Sequence, residues 1–132
     1  MSSNALAQGH ELDAVRVPLQ NYLRAHESGE ADWMRKAFAA DARIVGQLNG
    51  QPIAWSVEQY AARFGGKPAA DEAQRRRSVE ILDLSGDAAL AKVVLDYPTM
   101  RFVDHMALLK IAGEWKIVSK TFHAQPQAAA AP

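Results

Sequence analysis

Apolar residues recur on two periods along this chain, three to four residues in the first half and two in the second, and the change divides it into helices and strands. From about Glu11 to His26 the positions Leu12, Val15, Leu19, Tyr22 and Leu23 form one stripe of an amphipathic helix, ended by Gly29. Pro18 lies inside that stripe, where it removes a helical hydrogen bond and crowds the preceding turn, so the helix is read as kinked there rather than starting there. A second short helix is predicted from Ala31 to about Ala39, with Trp33, Met34, Ala37 and Phe38 close together on one side. Two short apolar runs, ARIVGQL and QPIAW, then flank Asn49-Gly50, the dipeptide that favours a type I′ hairpin. Ser56 and Gln59 make a capping box that opens a third helix through Val57, Tyr60, Ala61 and Phe64 to Gly65-Gly66.

After the polar connection KPAADEA the period becomes two. Four extended runs, RRRSVEILDLS, AALAKVVLDYP, MRFVDHMALLKIA and WKIVSKTFHA, are joined by tight turns at Gly86-Asp87 and Gly113-Glu114, which predicts an antiparallel meander. The fold class is therefore α+β: three N-terminal helices packed on a strongly curved antiparallel sheet, in the order helix, helix, hairpin, helix, four strands. Such a sheet, closed on one side by helices, makes a cone with an interior pocket. The domain is placed at 11–124, with a flexible N-terminus at 1–10 and a disordered tail at 125–132. Because AALAKVVL and MALLKIA are apolar on both faces, the outer face needs a cover, and a homodimer through the sheet face supplies one.

Composition narrows the partners. Fifteen basic and fifteen acidic side chains cancel to no net charge over 132 residues, so no global field draws the chain to nucleic acid or an anionic membrane. The one basic run, Arg75-Arg76-Arg77, is split between the two faces of a strand. With no cysteine there is no disulfide framework and no thiolate chemistry; with no apolar segment near the membrane-spanning length, a soluble, cytoplasmic protein is expected. His10, His26, His105 and His123 show no metal-ligand spacing, and no cofactor is assigned.

Three segments carry a family resemblance: AVRVPLQNYLRAHESGEADWMRKAFAADARI, the Asn49-Gly50 hairpin, and FVDHMALLKIAGEWKIVSKTFH. From about Leu12 to His123 the chain resembles the nuclear transport factor 2-like superfamily and, within it, the small bacterial group called putative lumazine-binding proteins. The resemblance implies the cone fold. It does not choose among the isomerases, dehydratases, cyclases and binding modules built on that cone, and no complete set of their acid and base residues aligns here, so no catalytic residue is carried over.

The candidate site is therefore built from the residues themselves. Trp55, Tyr60, Phe64 and Tyr97 are placed at the mouth of the pocket, where their rings suit a flat heteroaromatic ligand such as a pteridine, although core packing accounts for the same positions. His105 and His123 on neighbouring strands, with Tyr22 from the first helix, would supply a polar group to the same cavity if both histidines point inward. Asp104 and His105, adjacent on a strand, face opposite ways and form no dyad. On β periodicity Phe102, Asp104, Met106 and Leu108 share one face, and either face could line the pocket; on the last strand Lys120 and Phe122 lie opposite Trp115, Ile117 and His123. The expected function is small-molecule binding in this cavity. The alternatives are an isomerase, dehydratase or cyclase using an acid-base residue there, and a protein-interaction module using the sheet face.

Overall fold

The computed structural model describes residues 2–128. Helix α1 spans Ser2–Ser28 and α2 Ala31–Ala37; strands β1 (Phe38–Leu48) and β2 (Gln51–Ser56) form a hairpin, followed by α3 (Val57–Ala61). A 3-10 turn at Glu72–Gln74 leads into β3 (Arg76–Ser85), β4 (Ala88–Asp96), β5 (Met100–Ile111) and β6 (Glu114–Pro126). The six strands make one curved sheet in the order β2-β1-β6-β5-β4-β3, with the helices on its concave side. Every neighbouring pair is antiparallel except β1 and β6, which run parallel.

The local signals act as their chemistry dictates. Asn49 and Gly50 both hold positive φ, 52° and 79°, as a type I′ turn requires. Ser56 Oγ accepts from the Gln59 backbone N–H at 3.1 Å and Gln59 Oε1 from the Ser56 N–H at 2.9 Å, closing the capping box. Four boundaries differ from the periodic reading, the first being that α2 ends at Ala37, so that Phe38 and Ala39 already belong to β1. Helix α1 begins at Ser2 and passes through Pro18, so 2–10 is helical; a helix needs no apolar stripe to extend, since each added residue gains a backbone hydrogen bond. Helix α3 stops at Ala61, and Arg63 and Phe64 follow in turns. The strand β6 continues to Pro126 because β5 offers backbone groups as far as Met100, and Gln127 then donates to Asp96 and to the Tyr97 carbonyl, so 125–127 is ordered; the remainder of the tail from 129 lies outside the described residues.

The core lies between α1 and the sheet. Val15, Leu19, Tyr22, Met34 and Phe38 meet Ile44, Val93, Leu95, Met106, Leu108 and Ile117, all fully or almost fully buried. Glu11 ties the helix to the β5-β6 hairpin, accepting from the Trp115 indole N–H at 2.9 Å and from Lys110 Nζ at 2.8 Å. On the convex face Val45, Leu90, Leu109 and Ile111 remain exposed. Among the described residues no helix is long and apolar enough to cross a membrane.

A bulge in β6 decides which of its side chains face inward. Ala107 pairs with Ser119 but Leu108 pairs with Ile117, so Val118 has no partner on β5 and the strand changes phase around it. Trp115 and Ile117 point into the core below the bulge; above it the inward positions are Lys120 and Phe122.

The loop after α3 is held against the end of α1. The Gly66 N–H donates to the Gly29 carbonyl at 2.8 Å, and Gly29 itself has φ 74° with the Lys67 carbonyl oxygen against the place where a Cβ would sit. Gly29→Ala is expected to cost more than about 2 kcal/mol, because left-handed backbone and a backbone clash add. Gly65→Ala, with open space around it, is expected to stay within about 0.5 kcal/mol of the parent in the same chemical denaturation series.

Candidate functional site

Five polar side chains converge where α1, α3, β5 and β6 meet. Tyr22 and His26, one turn apart on α1, lie on the same side of the helix with ring centroids 4.8 Å apart. Asp104 comes from the inward face of β5, in line with Phe102, Met106 and Leu108, and pairs in register with Phe122; Met106 pairs with Lys120, so Asp104 and Lys120 are diagonal neighbours across the ladder. Tyr60, on the short helix that the capping box opens, reaches in from the other side.

Their hydrogen bonds form one chain. The Tyr22 hydroxyl donates to Asp104 Oδ2 at 2.6 Å, and Lys120 Nζ donates to the Tyr60 hydroxyl oxygen at 2.9 Å. Tyr60 also meets His26 Nε2 at 3.0 Å and the Tyr22 hydroxyl at 3.4 Å. The second carboxylate oxygen, Asp104 Oδ1, stands 3.8 Å from Lys120 Nζ and accepts no hydrogen bond although fully buried. A buried oxygen left in that state costs about 1–3 kcal/mol, more when charged, so the cluster is maintained against a folding cost.

The electrostatics arise from burial and mutual attraction. Burial raises the Asp104 carboxyl above the usual carboxylate range, against the pull of Lys120 and the Tyr22 hydrogen bond. Burial and the neighbouring Asp104 charge push the Tyr22 hydroxyl well above the phenol range, so Tyr22 stays a donor. For Lys120 burial works against the ammonium, but Tyr60 and Asp104 outweigh it and hold it protonated. His26 is pushed well below the ordinary imidazole value, first by burial and then by Lys120, Arg77 and Arg75, so it is neutral at pH 7.

Above this cluster opens a cavity of about 200 Å³. Its polar wall is His26, Tyr60, Lys120 and Arg63, and its apolar wall includes Trp55, Phe64, Leu95, Phe102 and Phe122. Trp55 stacks on Tyr60 with 12° between planes and 5.7 Å between centroids, and the Arg63 guanidinium covers the outer face of Trp55 at 4.6 Å. Gly46 makes room for the Phe122 ring: a Cβ there would lie 2.6 Å from Phe122 Cε1. Among the described residues no group of three His, Cys, Asp or Glu side chains could hold a metal ion.

A family model described as putative lumazine-binding matches residues 10–123. The chain belongs to that family. Its fold is nuclear transport factor 2-like, as in the NTF2-like protein of unknown function from Methylobacillus flagellatus, which is 29% identical over 88% of this chain and 93% of its own, with a TM-score of 0.75. A second such protein, from Shewanella baltica, is 26% identical over 89% of this chain and 96% of its own, with a TM-score of 0.78. Among curated proteins the chain is similar to one named aldolase FrzH from a Cladobotryum species, 26% identical over 119 residues, which are 89% of this chain and 94% of that one.

Within this member of the family, the residues singled out from sequence fall into two groups. Trp55, Tyr60 and Phe64 line the cavity, and Tyr22 lies directly beneath it in the hydrogen-bonded chain. His105 and His123 are exposed on the convex face, so they do not join Tyr22: the inward phase of β5 is that of Asp104, and above the Val118 bulge that of β6 belongs to Lys120. Tyr97 is not on the cavity wall either. Its ring lies under Arg75 at 4.0 Å, its hydroxyl accepts from Arg77 Nε at 3.1 Å, and it supports Phe102 edge-on from behind. The site members that sequence reading does not select are His26, Asp104 and Lys120.

A neutral His26 has a pH signature. Its folded-state pKa is below the unfolded value near 6.5, so between the two the unfolded chain binds a proton that the folded chain does not, and stability falls on acidification. The slope of this contribution reaches about 1.4 kcal/mol per pH unit below pH 6.5. His26→Gln is expected to flatten the stability profile measured by urea unfolding between pH 7 and 5, relative to the parent.

Proposed function

We propose that this protein is an enzyme that binds a small carbonyl compound in the cavity and moves a proton to and from the carbon beside that carbonyl. The observation that carries the reading is Lys120 Nζ and His26 Nε2 bridged by the Tyr60 hydroxyl on the wall of one apolar cavity. Lys120 commits one N–H to Tyr60, and its other donors can meet a substrate carbonyl oxygen. As the C–H bond breaks, its proton passes to the Tyr60 oxygen while the Tyr60 proton passes to His26 Nε2, a weak base in the free protein whose imidazolium is balanced by the enolate charge formed in the same step. The C–H electron pair becomes the enolate, whose oxygen carries the charge next to the ammonium. Returning the proton to carbon completes an isomerisation or exchange; adding the enolate carbon to an aldehyde carbon, with the His26 proton delivered to the new alkoxide, makes an aldol bond. Held protonated, Lys120 acts as a donor and not as an amine nucleophile. The similarity to a protein named an aldolase supports this reading, because aldol reactions in either direction pass through such an enolate.

The family description and the Trp55–Tyr60 stack favour a second reading, retention of a flat heteroaromatic such as a pteridine without turnover. Proton NMR in deuterium oxide separates the two. With phenylpyruvate and with benzylacetone as probes, the protein is expected to speed loss of the signal from hydrogens beside the carbonyl, and Tyr60→Phe to reduce that rate by about 10²-fold or more. A rate equal to buffer, or one untouched by Tyr60→Phe, overturns the enolisation reading; tight binding of a pteridine with no exchange supports the second.

We further propose that the assembly is a homodimer through the sheet face. Val45, Leu90, Leu109 and Ile111 on the convex side face no helix of their own chain, and a second copy presents the same apolar set. Light scattering at micromolar concentration is expected to give twice the chain mass of 14.4 kDa, reduced to the monomer by Leu90→Lys with Leu109→Glu.

A further inference from the structure

The cavity has an unbalanced charge. Its lining holds two cations, Lys120 and Arg63, and no carboxylate. The carboxylate nearest Lys120 is Asp104, which sits behind the wall, fully buried, with one oxygen committed to Tyr22 and the other 3.8 Å from the ammonium. Lys120 itself is 4% exposed, so its remaining donors can be met from the cavity and not from bulk water.

Arg63 differs from Arg75 and Arg77. Arg75 and Arg77 are neutralised by Asp71 at 2.7 Å and by a two-pronged contact with Glu72 at 2.6 and 2.7 Å. Among the described residues Arg63 has no ion pair. Its guanidinium carbon stands 4.6 Å from the Trp55 ring centroid, and no hydrogen bond among the described residues engages its N–H groups, so the fork that grips a carboxylate in two parallel bonds is uncommitted. Its position is fixed from below: the Arg63 N–H donates to the Tyr60 carbonyl at 3.1 Å, and three residues on Gly66 is bonded to Gly29.

We infer that the substrate of this cavity is an oxo acid, its carbonyl against Lys120 and its carboxylate gripped at the rim by Arg63, which thereby selects the acid over neutral ketones. This rests on the carbonyl reading of the site. A planar carboxylate matches the single fork at the rim, and its charge offsets Arg63, the cation of the lining that has no ion pair among the described residues. Aromatic side chains at Trp55, Phe64, Phe102 and Phe122 then make room for an apolar substituent between the two polar ends.

Calorimetric titration with phenylpyruvate and with its methyl ester tests the assignment, since the two differ in charge and little in shape. The parent protein is expected to bind the acid about tenfold more tightly than the ester, and the ratio to shrink as salt is raised. Arg63→Met keeps an apolar stem over Trp55 and is expected to bring the ratio close to one, while Arg63→Lys, a charge without a fork, is expected to retain part of it. Arg63 is exposed, so the variants are expected to melt with the parent by circular dichroism. Equal binding of acid and ester, a preference that survives Arg63→Met, or no binding of either probe at millimolar concentration overturns the inference. A clear acid preference that depends on Arg63, with no isotope exchange in any form of the protein, overturns the enolisation reading and leaves the anion site standing; exchange with equal binding of acid and ester does the reverse.

Discussion

The placement of one ammonium group constrains most of this molecule. Lys120 is carried into the interior on a strand, and a buried cation is tolerated only where its hydrogen bonds and its charge are met locally. Tyr60, Asp104 and, through Asp104, Tyr22 meet them, which brings α1, α3, β5 and β6 to a common point. The pairing is left incomplete: at 3.8 Å the ammonium and the carboxylate attract one another without sharing a hydrogen bond. An ion pair closed tightly on itself would offer little to a ligand, whereas this one keeps donors in reserve at the cost of an unpartnered carboxylate oxygen.

The apolar shell makes that reserve useful. Trp55, Phe64, Phe102 and Phe122 give the cavity an apolar wall, and beside such a wall, where the effective dielectric is lower than in bulk water, each polar contact acts more strongly than it would at the surface. The surrounding ion pairs have a quieter function. Arg77 and Glu72 fasten the 3-10 turn onto β3, Tyr97 fills the space beneath their neighbours, and Phe102 is thereby propped against the cavity. These contacts hold the shape of the wall without entering it.

How much of this the sequence discloses depends on the range over which each signal acts. Asn49-Gly50, the Ser56–Gln59 box and the alternation of the four long strands are local, and their structures arise from backbone chemistry within a few residues. The parallel pairing of β1 with β6 joins segments more than seventy residues apart and leaves no local mark. The site divides in the same way. Aromatic residues at helix and hairpin ends, Trp55, Tyr60 and Phe64, point to a pocket because large rings there need somewhere to go. Lys120 and Asp104 look like ordinary solvated charges until the strand phase is known, and selecting His105 and His123 amounts to reading the opposite phase. A single signal points the other way: an aspartate spaced by two between Phe102 and Met106 interrupts an otherwise apolar face, which is costly unless the residue has a partner.

The unpaired Val118 gives β6 two identities. Below it the strand is a core element whose Trp115 and Ile117 are chosen by packing; above it the same strand is a ledge whose Lys120 and Phe122 answer to the cavity. Because the phase is reset between them, the two stretches can diverge separately, one conserving volume and the other exploring chemistry. A regular strand of the same length, without the bulge, would exchange inside for outside along the ledge while leaving the core untouched. The fold thus carries a natural seam at which one scaffold can be fitted with different interiors.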